Sequence, residues 1–250
     1  MSKGVRARDR NNARRIVEQQ KAAERRRRVT VWTSVVVVVV LVAAGLVGWS
    51  VLSHQDKATA SKLTVPPGVV DSGTAWSIGT GPVKVDLYED FMCPICNNFE
   101  KTSGATVKQL VTQNKITVQY HTVAILDDSS NGTKYSTRAA GAAAAAATEG
   151  KFVQYHDVLY ANQPEEGSSG LTNAKLIDLG KSVGLTDAAF VNAVNQQTYD
   201  PWVTNVTNQF TQRGYTGTPT IVVNGKVLQG PGQTVPSSQL LTQTVAAAAG

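Results

Sequence analysis

The sequence predicts an α/β domain that carries a helical insertion and is preceded by a single transmembrane helix. Three observations lead to this prediction: an uncharged apolar stretch at residues 29–53, alternating β-like and helical segments after it, and an alanine-rich helical block before a last hairpin. At 250 residues the chain is long enough to bury a sizeable core. The predicted boundaries are 1–28 for a basic tail, 29–53 for the anchor, 54–68 for a linker and 69–250 for the α/β domain, with the insertion at about 130–198.

The positive charge of the chain belongs to its N-terminal tail. Residues 1–28 hold eleven Lys or Arg and three acidic residues, a net charge of +8, whereas the remaining residues hold 13 basic and 15 acidic side chains and are close to −2. A topology signal with some attraction to anionic lipid explains such a tail better than nucleic-acid binding does. We therefore expect no nucleic-acid partner.

The apolar stretch at residues 29–53 has the features of a membrane anchor. It contains about 20 mostly apolar residues, enough to cross a bilayer core of roughly 30 Å. Trp32 and Trp49 lie near its ends, where aromatic rings favour the interface, and Arg25–Arg28 place the N-terminal side in the cytoplasm. We predict a single-pass protein of the cell membrane whose C-terminal domain is extracytoplasmic. A signal peptide cleaved after Ala58–Ala60 is the alternative, although signal peptides have apolar regions of only about 7–15 residues.

The elements after the linker can be predicted from periodicity and turn signals. We expect a strand at 83–91, a helix from Cys93 to Val111 that Gly104 kinks, and a strand at 116–126. A helical section at 135–162 should follow, then helices at 172–183 and 187–197 capped by Thr172 and Thr186, and a helix with Asp200 as N-cap that ends at Gly214. The chain should end with a hairpin of 220–223 and 226–229 around Asn224-Gly225 and a helix at 237–249.

The stretch FMCPIC, residues 91–96, contains the two cysteines of the chain between the first predicted strand and helix. A helix N-terminus favours a thiolate, so Cys93 is the predicted nucleophile and Cys96, one turn further in, resolves the mixed disulfide. A zinc site needs four ligands, and with only three histidines in the chain no metal is expected. A structural disulfide is the third use of the pair, but it closes too short a loop to remove much chain entropy.

DFMCPIC after a strand, followed far downstream by GYTGTPTIVVNGK, resembles the thioredoxin superfamily. The helical insertion resembles the DsbA-like thiol:disulfide oxidoreductases in particular, and the resemblance covers roughly residues 70–250. It implies a thioredoxin-like fold and a cis Thr218–Pro219 bond beside the active-site sulfurs, whereas the residues alone would favour an ordinary trans proline. The resemblance also implies that Pro219 is a catalytic residue and that Thr218 pairs with a substrate strand. Phe91, Pro94 and Ile95 would contact the substrate as well.

The resemblance implies an oxidoreductase without a bound cofactor that donates its Cys93–Cys96 disulfide to exported proteins with free cysteines. A quinone-linked membrane partner would reoxidise it. Well-known DsbA proteins carry Cys-Pro-His-Cys, and Ile95 here cannot donate a hydrogen bond or positive charge to the Cys93 thiolate. We therefore expect a potential between about −120 mV and thioredoxin's roughly −270 mV. Two alternatives stay open: a reductase or isomerase of the same fold, and a tethered peptide-binding module or chaperone whose dithiol is incidental.

Several other side chains are candidates for a role beside the cysteines. Glu89 and Asp90 are expected to be solvated charges at a strand end, with relay of the Cys96 proton as the alternative. His156 is expected to be a structural helix residue rather than a participant. Met92, Tyr215 and Trp202 are expected either to line an apolar substrate surface or to pack in the core.

Overall fold

The structure is a computed structural model in which residues 63–249 are described. Its centre is a mixed sheet with the strand order β1-β3-β2-β4-β5, in which β2 runs parallel to β3 and all other neighbours are antiparallel. The strands are β1 (Trp76–Ile78), β2 (Val83–Glu89), β3 (Ile116–Thr122), β4 (Thr220–Val223) and β5 (Lys226–Leu228). The predicted α/β fold with a helical insertion is therefore confirmed.

Eight α-helices are described between residues 63 and 249. They are α1 (Pro94–Phe99), α2 (Ala105–Thr112), α3 (Tyr135–Thr148), α4 (Phe152–Ala161), α5 (Asn173–Ser182), α6 (Ala188–Asn195), α7 (Asp200–Gln212) and α8 (Ser238–Ala249). A π-helical turn, Glu100–Gly104, joins α1 to α2 where the sequence predicts a kink. No helix within 63–249 has the length and apolar character needed to cross a bilayer. The predicted anchor, the basic tail and most of the linker lie outside the described residues.

Both faces of the sheet are covered, so β2 is buried except at Lys84. Val83, Val85 and Leu87 lie on one face of β2 and Asp86 and Tyr88 on the other, and all five are buried. On the Tyr88 side, α7 contributes Phe210, whose ring centroid lies 5.4 Å from that of Tyr88. The polar residues of β2 are therefore inside the protein and need partners there.

The helical insertion is built around α3. Every residue from Ala139 to Ala146 is buried, and α3 contacts α4, α5, α6 and α7. Small side chains let the neighbouring helices approach closely, so the alanine run belongs to the core. This packing carries α4 and the segment after it to the carboxyl end of β2, where the cysteines follow.

The strands predicted at 83–91 and 116–126 are shorter in the structure. Beyond their ends, side chains rather than a neighbouring strand accept hydrogen bonds from the backbone N–H groups. The Leu126 N–H donates to Asp90 Oδ2 and the Ala124 N–H to Thr207 Oγ1, each at 2.9 Å, so β3 stops at Thr122. The helical section predicted at 135–162 is broken at Gly150, whose φ of 70° ends α3.

Some of the predicted helix caps and turns are confirmed, and others are wrong. Thr172 is confirmed as an N-cap, since its Oγ1 accepts from the Lys175 N–H at 3.2 Å. Thr186 is not a cap, because Asp187 occupies that position, and Asp200 lies inside the first turn of α7. The Asn224-Gly225 hairpin is confirmed, with φ values of 44° and 80°. The three-residue strand β1 was not predicted, because so short a strand has no measurable periodicity.

Candidate active site

Cys93 and Cys96 lie at the start of α1, directly after the carboxyl end of β2. Cys93 is the N-cap residue, Pro94 begins the helix, and Cys96 lies one turn further in. Both are free thiols, with 5% of Cys93 and none of Cys96 exposed to solvent. The predicted placement at a strand-to-helix junction is confirmed.

The two thiols have opposite acidities. A hydrogen bond from the Cys96 thiol, with further ones from Thr218 and the backbone N–H groups of Cys96 and Ile95, lowers the pKa of Cys93 to about 6 against the opposing effect of burial. Burial raises the pKa of Cys96 well above the usual value, and the hydrogen bond to Cys93 and the charge of Glu89 add to this. At neutral pH Cys93 is therefore a thiolate and Cys96 a thiol, which are the protonation states of a nucleophile and a resolving cysteine.

The loop that begins at Thr218 lies against the nucleophile. In its protonated form the Cys93 thiol donates a hydrogen bond to the Thr218 carbonyl oxygen, 3.3 Å from Sγ, and the Thr218–Pro219 peptide bond is cis, as the family resemblance implied. The Thr218 hydroxyl is buried and has no hydrogen-bond partner of standard geometry among the described residues, so it is available to the sulfurs. The catalytic role of Pro219 remains a prediction.

A groove of about 540 Å³ opens beside this loop. Its lining includes Ile95, Tyr215, Pro219, Val227 and Val235. Ile95 and Val227 are 53% and 47% exposed, so the groove offers two large aliphatic side chains to a ligand. The exposed Ile95 and Pro94 fit the predicted role in substrate contact, which stays a prediction.

Phe91 does not belong to this surface. Its side chain is buried and packs against His156 and Tyr160, with ring centroids 5.6 and 5.2 Å away. The prediction that Phe91 contacts substrate is therefore wrong for its side chain. Met92 and Trp202 are buried too, which leaves Tyr215 as the one aromatic candidate that lines the groove.

Asp90 fixes the loop that precedes Cys93. Its Oδ1 accepts hydrogen bonds from the Met92 N–H at 2.8 Å and the Ser136 hydroxyl at 2.6 Å, and its Oδ2 accepts from the Leu126 N–H. Burial raises the pKa of Asp90 to about 6. The expectation of a solvated charge is wrong, because α3 of the insertion covers this strand end and supplies Ser136.

Gln163, directly after α4, holds the same loop from the other side. Its Nε2 donates to the carbonyl oxygens of Phe91 and Cys93, each at 3.0 Å, and its Oε1 accepts from Asn97 Nδ2 at 2.9 Å. Sequence reasoning missed Gln163, since a glutamine in a polar loop gives no signal of such contacts. The helical insertion thus positions the nucleophile through Gln163 and Ser136.

Glu89 is buried as well, against the expectation of a solvated carboxylate. Only 2% of it is exposed, and its Oε2 lies 3.0 Å from Nε2 of the buried His156. Glu100, on the π-helical turn, completes a group whose carboxylate and imidazole atoms lie within 4.8 Å of one another. We call Glu89, Glu100 and His156 the acid–histidine cluster. The expected structural role of His156 agrees with its burial and its ion pair with Glu89, and it stays a prediction.

Two groups of side chains in the described part of the chain have a spacing that a metal ion would accept. They are the acid–histidine cluster and a second group of Asp71, Asp86 and His121. In each, ion pairing between histidine and carboxylate already accounts for the close approach, and neither contains a cysteine. We assign no metal to either group.

Comparison with known proteins agrees with this geometry. The profile of the thioredoxin family matches residues 74–241. Among solved structures, the reduced form of the disulfide-bond oxidoreductase DsbG from Mycobacterium tuberculosis is 30% identical, with a TM-score of 0.61, 74% of this chain covered and 91% of that chain. Reduced DsbA from the same organism is 29% identical, with a TM-score of 0.56, covering 71% of this chain and all of that one.

The curated relatives share only a segment with this chain. The serine/threonine-protein kinase PknE of Mycobacterium tuberculosis is 28% identical over 127 residues, which are 48% of this chain and 22% of the kinase. This chain therefore spans about a fifth of that relative's length. The family profile covers more than half of the chain, and the two matched structures are disulfide-bond oxidoreductases. The chain therefore belongs to the thioredoxin family and is a thiol:disulfide oxidoreductase of the DsbA type.

Proposed function

We propose that this protein is a membrane-anchored, extracytoplasmic donor of disulfides to exported proteins. The observation that carries the proposal is the difference in acidity between the two sulfurs. A thiolate at Cys93 that is stable at neutral pH is a good leaving group, so a disulfide that includes Cys93 is readily attacked and readily reduced.

The donation would proceed in two exchanges. A substrate thiolate attacks Cys93 Sγ, the bond to Cys96 Sγ breaks, and Cys96 takes up a proton. A second substrate thiolate then attacks the substrate sulfur of the mixed disulfide, and Cys93 leaves as a thiolate. The substrate loses two electrons and gains a disulfide, while the protein is left with two reduced sulfurs.

The groove beside the cis-proline loop is suited to an extended segment of the substrate. β5 is one of the two edge strands of the sheet, and the exposed Val227 on β5 lines the groove together with the exposed Ile95. The Thr218 carbonyl lies beside Cys93, so a strand paired with Thr218 would bring its cysteine to the nucleophile. We infer a substrate with an apolar residue near its reactive cysteine.

The location and the reoxidising partner are proposed from the sequence and the family. The apolar stretch 29–53 after Arg25–Arg28 supports an anchor with the catalytic domain outside the cytoplasm. A quinone-linked membrane protein would return the Cys93–Cys96 pair to the disulfide. Alkaline carbonate extraction of membranes tests the anchor: the full chain should stay with the membrane, and release into the supernatant would contradict it.

Thiol trapping of the full chain in its native cells tests the direction of electron flow. A donor should be trapped mostly with Cys93 and Cys96 as a disulfide, and a sample reduced with dithiothreitol before trapping identifies the reduced band. A mostly reduced pair would contradict the donor role.

A reductase or isomerase of the same fold is the second candidate, and Ile95 is the observation that favours it. The position that holds histidine in strongly oxidising DsbA proteins here has no hydrogen-bond donor or charge. A mostly reduced pair in cells would support this candidate. The non-enzymatic alternative is disfavoured, because an incidental dithiol has no need of one acidic and one protonated sulfur.

A further inference from the structure

The groove beside the cis-proline loop has one charged side chain, Arg213, among the described residues that line it. The other lining residues are aliphatic side chains, glycines, prolines, threonines, a glutamine and a tyrosine. None of these lining residues carries a carboxylate. A substrate segment that enters the groove therefore meets one positive charge and no negative charge.

Arg213 belongs to the loop that carries the cis peptide bond. Helix α7 ends at Gln212, and Gly214, with a φ of 82°, turns the chain away from the helix axis. The chain then continues to Thr218, whose carbonyl oxygen lies beside Cys93. One loop thus supplies both the backbone group next to the nucleophile and the positive charge in the groove.

The Arg213 guanidinium is held in place without a substrate. Its Nη1 donates hydrogen bonds to Asp71 Oδ2 at 2.8 Å and to the Tyr88 hydroxyl. Arg213 Cζ lies 5.9 Å from the centroid of the Tyr88 ring, which is buried and stacks on His121 with centroids 4.1 Å apart. A guanidinium that is already oriented loses little side-chain entropy when it binds a further group.

Part of the guanidinium remains available to a ligand. Within residues 63–249, Nε and Nη2 of Arg213 have no hydrogen-bond partner of standard geometry, and 32% of the side chain is exposed. Asp71 offsets part of the positive charge, but it does not line the groove. The planar fork of N–H donors in a guanidinium matches the two oxygens of a carboxylate. A carboxylate is therefore the group that the free donors of Arg213 fit best.

We propose that Arg213 selects substrate segments that carry an Asp or Glu side chain close to the reactive cysteine. This role rests on the proposed function, because the groove must receive the substrate for Arg213 to contact it. A groove of about 540 Å³ holds only a few residues, so the carboxylate should lie within about three positions of the cysteine. The exposed Ile95 and Val227 would contact apolar side chains of the same segment.

A purely structural role is the alternative for Arg213. Its hydrogen bonds to Asp71 and Tyr88 join the end of α7 to the turn before β1 and to β2. Loss of these bonds would displace the loop that carries Thr218 and would slow the reaction with every substrate by the same factor. Selection by Arg213 instead changes the reaction only with substrates that carry a carboxylate. A ratio of two rates within one variant separates the two roles and is independent of the fraction of folded protein.

The test uses the full chain with a Cys96→Ala substitution, which leaves Cys93 as the one thiol. The peptides are capped at both ends and carry one cysteine as a mixed disulfide with 2-thiopyridine. Cys93 Sγ attacks the peptide sulfur, the bond between that sulfur and thiopyridine breaks, and thiopyridine leaves with the electron pair as a product measured by absorbance. The peptide–Cys93 disulfide forms whichever way electrons flow in cells. Failure of the donor role would therefore leave the result unaffected.

The peptides form pairs that differ only in Glu or Gln at one of the three positions on either side of the cysteine. With Arg213 present, the Glu peptide should react about threefold faster than its Gln counterpart at one or more positions, as expected for an exposed ion pair. Arg213→Gln should bring the ratio at those positions to one.

Lys226→Gln is the matched control. It removes the same charge from an exposed residue of β5 that neighbours Val227 but does not line the groove. Its ratios should equal those of the protein that carries only Cys96→Ala. Ratios of one at all positions with Arg213 present would overturn the proposal. A preference for Glu that persists in Arg213→Gln, or that Lys226→Gln also removes, would overturn it as well.

Discussion

At the scale of single residues, the two sulfurs three positions apart differ because their surroundings differ. Cys93 receives hydrogen bonds from Cys96, Thr218 and the first N–H groups of α1, whereas Cys96 is fully enclosed and faces negative charge. Since the pKa of Cys93 is lower than the ordinary thiol value of 9.0, this group stabilises the folded, reduced protein at high pH. That stabilisation is lost as the pH falls to about 6.

The ionisation of Cys93 can be measured by alkylation with iodoacetamide. In a Cys96→Ala variant, which keeps one thiol, the rate should be independent of pH well above the Cys93 pKa and should fall about tenfold for each pH unit below it. The wild-type midpoint should lie near pH 6. Because the Cys96 hydrogen bond is the largest cause of the low pKa of Cys93, the midpoint should be higher in Cys96→Ala. Equal midpoints above 8 in both proteins would contradict the description of Cys93 as a thiolate.

Ile95→His tests the residue between the cysteines. A histidine there would donate a hydrogen bond or a positive charge to the Cys93 thiolate, which stabilises the reduced protein. The potential should become less negative by some tens of millivolts, since about 1.4 kcal/mol corresponds to roughly 30 mV for two electrons. Ile95→Gln, polar but uncharged, is the control and should shift the potential less; an unchanged potential in Ile95→His would contradict the role given to Ile95.

The roles of the two cysteines in the Cys-Pro-Ile-Cys motif could be predicted from the sequence, whereas the burial of the carboxylates that precede the motif could not. Cys93 and Cys96 follow from spacing and helix position, and the cis Thr218–Pro219 bond follows from the family resemblance. Glu89 and Asp90 were expected in solvent, because a charge at a strand end is usually exposed. Their burial depends on α3 and α4, whose placement over the end of β2 has no local signal in the sequence.

At the scale of elements, the helical insertion supports the active-site loop. α3 supplies Ser136 to Asp90, and the segment after α4 supplies Gln163 to the carbonyl oxygens of Phe91 and Cys93. The nucleophile is therefore fixed by elements that lie between about 40 and 70 residues further along the chain. Hydrogen bonds from the insertion hold the reactive loop in place.

Gln163→Ala measures how much this support contributes. The substitution leaves the buried Phe91 carbonyl oxygen and the Asn97 amide without this partner, and it removes one of two hydrogen bonds to the Cys93 carbonyl oxygen. The free energy of unfolding should therefore fall by about 1–3 kcal/mol. Gln154→Ala, an exposed position on α4, should change it by less than about 0.5 kcal/mol in denaturant titrations. Equal effects of the two substitutions would show that the contacts of Gln163 do not stabilise the loop.

The order of elements was predictable, whereas their ends were not. Apolar periodicity and the Asn224-Gly225 turn indicated the helices and the hairpin. Strand ends at Glu89 and Thr122 depend on the side chains of Asp90 and Thr207, which meet those backbones only in the folded chain. Tertiary contacts therefore decided the boundaries.

At the scale of the whole molecule, one domain brings a nucleophile and an open groove together. The groove lies on the cis-proline side of Cys93, and Ile95 is part of its lining. The proposed membrane anchor would hold this domain where exported chains emerge with reduced cysteines.

The potential of the Cys93–Cys96 couple in the full chain tests the central claim most directly. Equilibration with glutathione redox buffers at pH 7, read by thiol trapping, gives this value. For a disulfide donor without the histidine of strongly oxidising relatives, we predict a potential between about −120 and −270 mV. A potential near or below about −270 mV would contradict the donor role and identify the protein as a reductase.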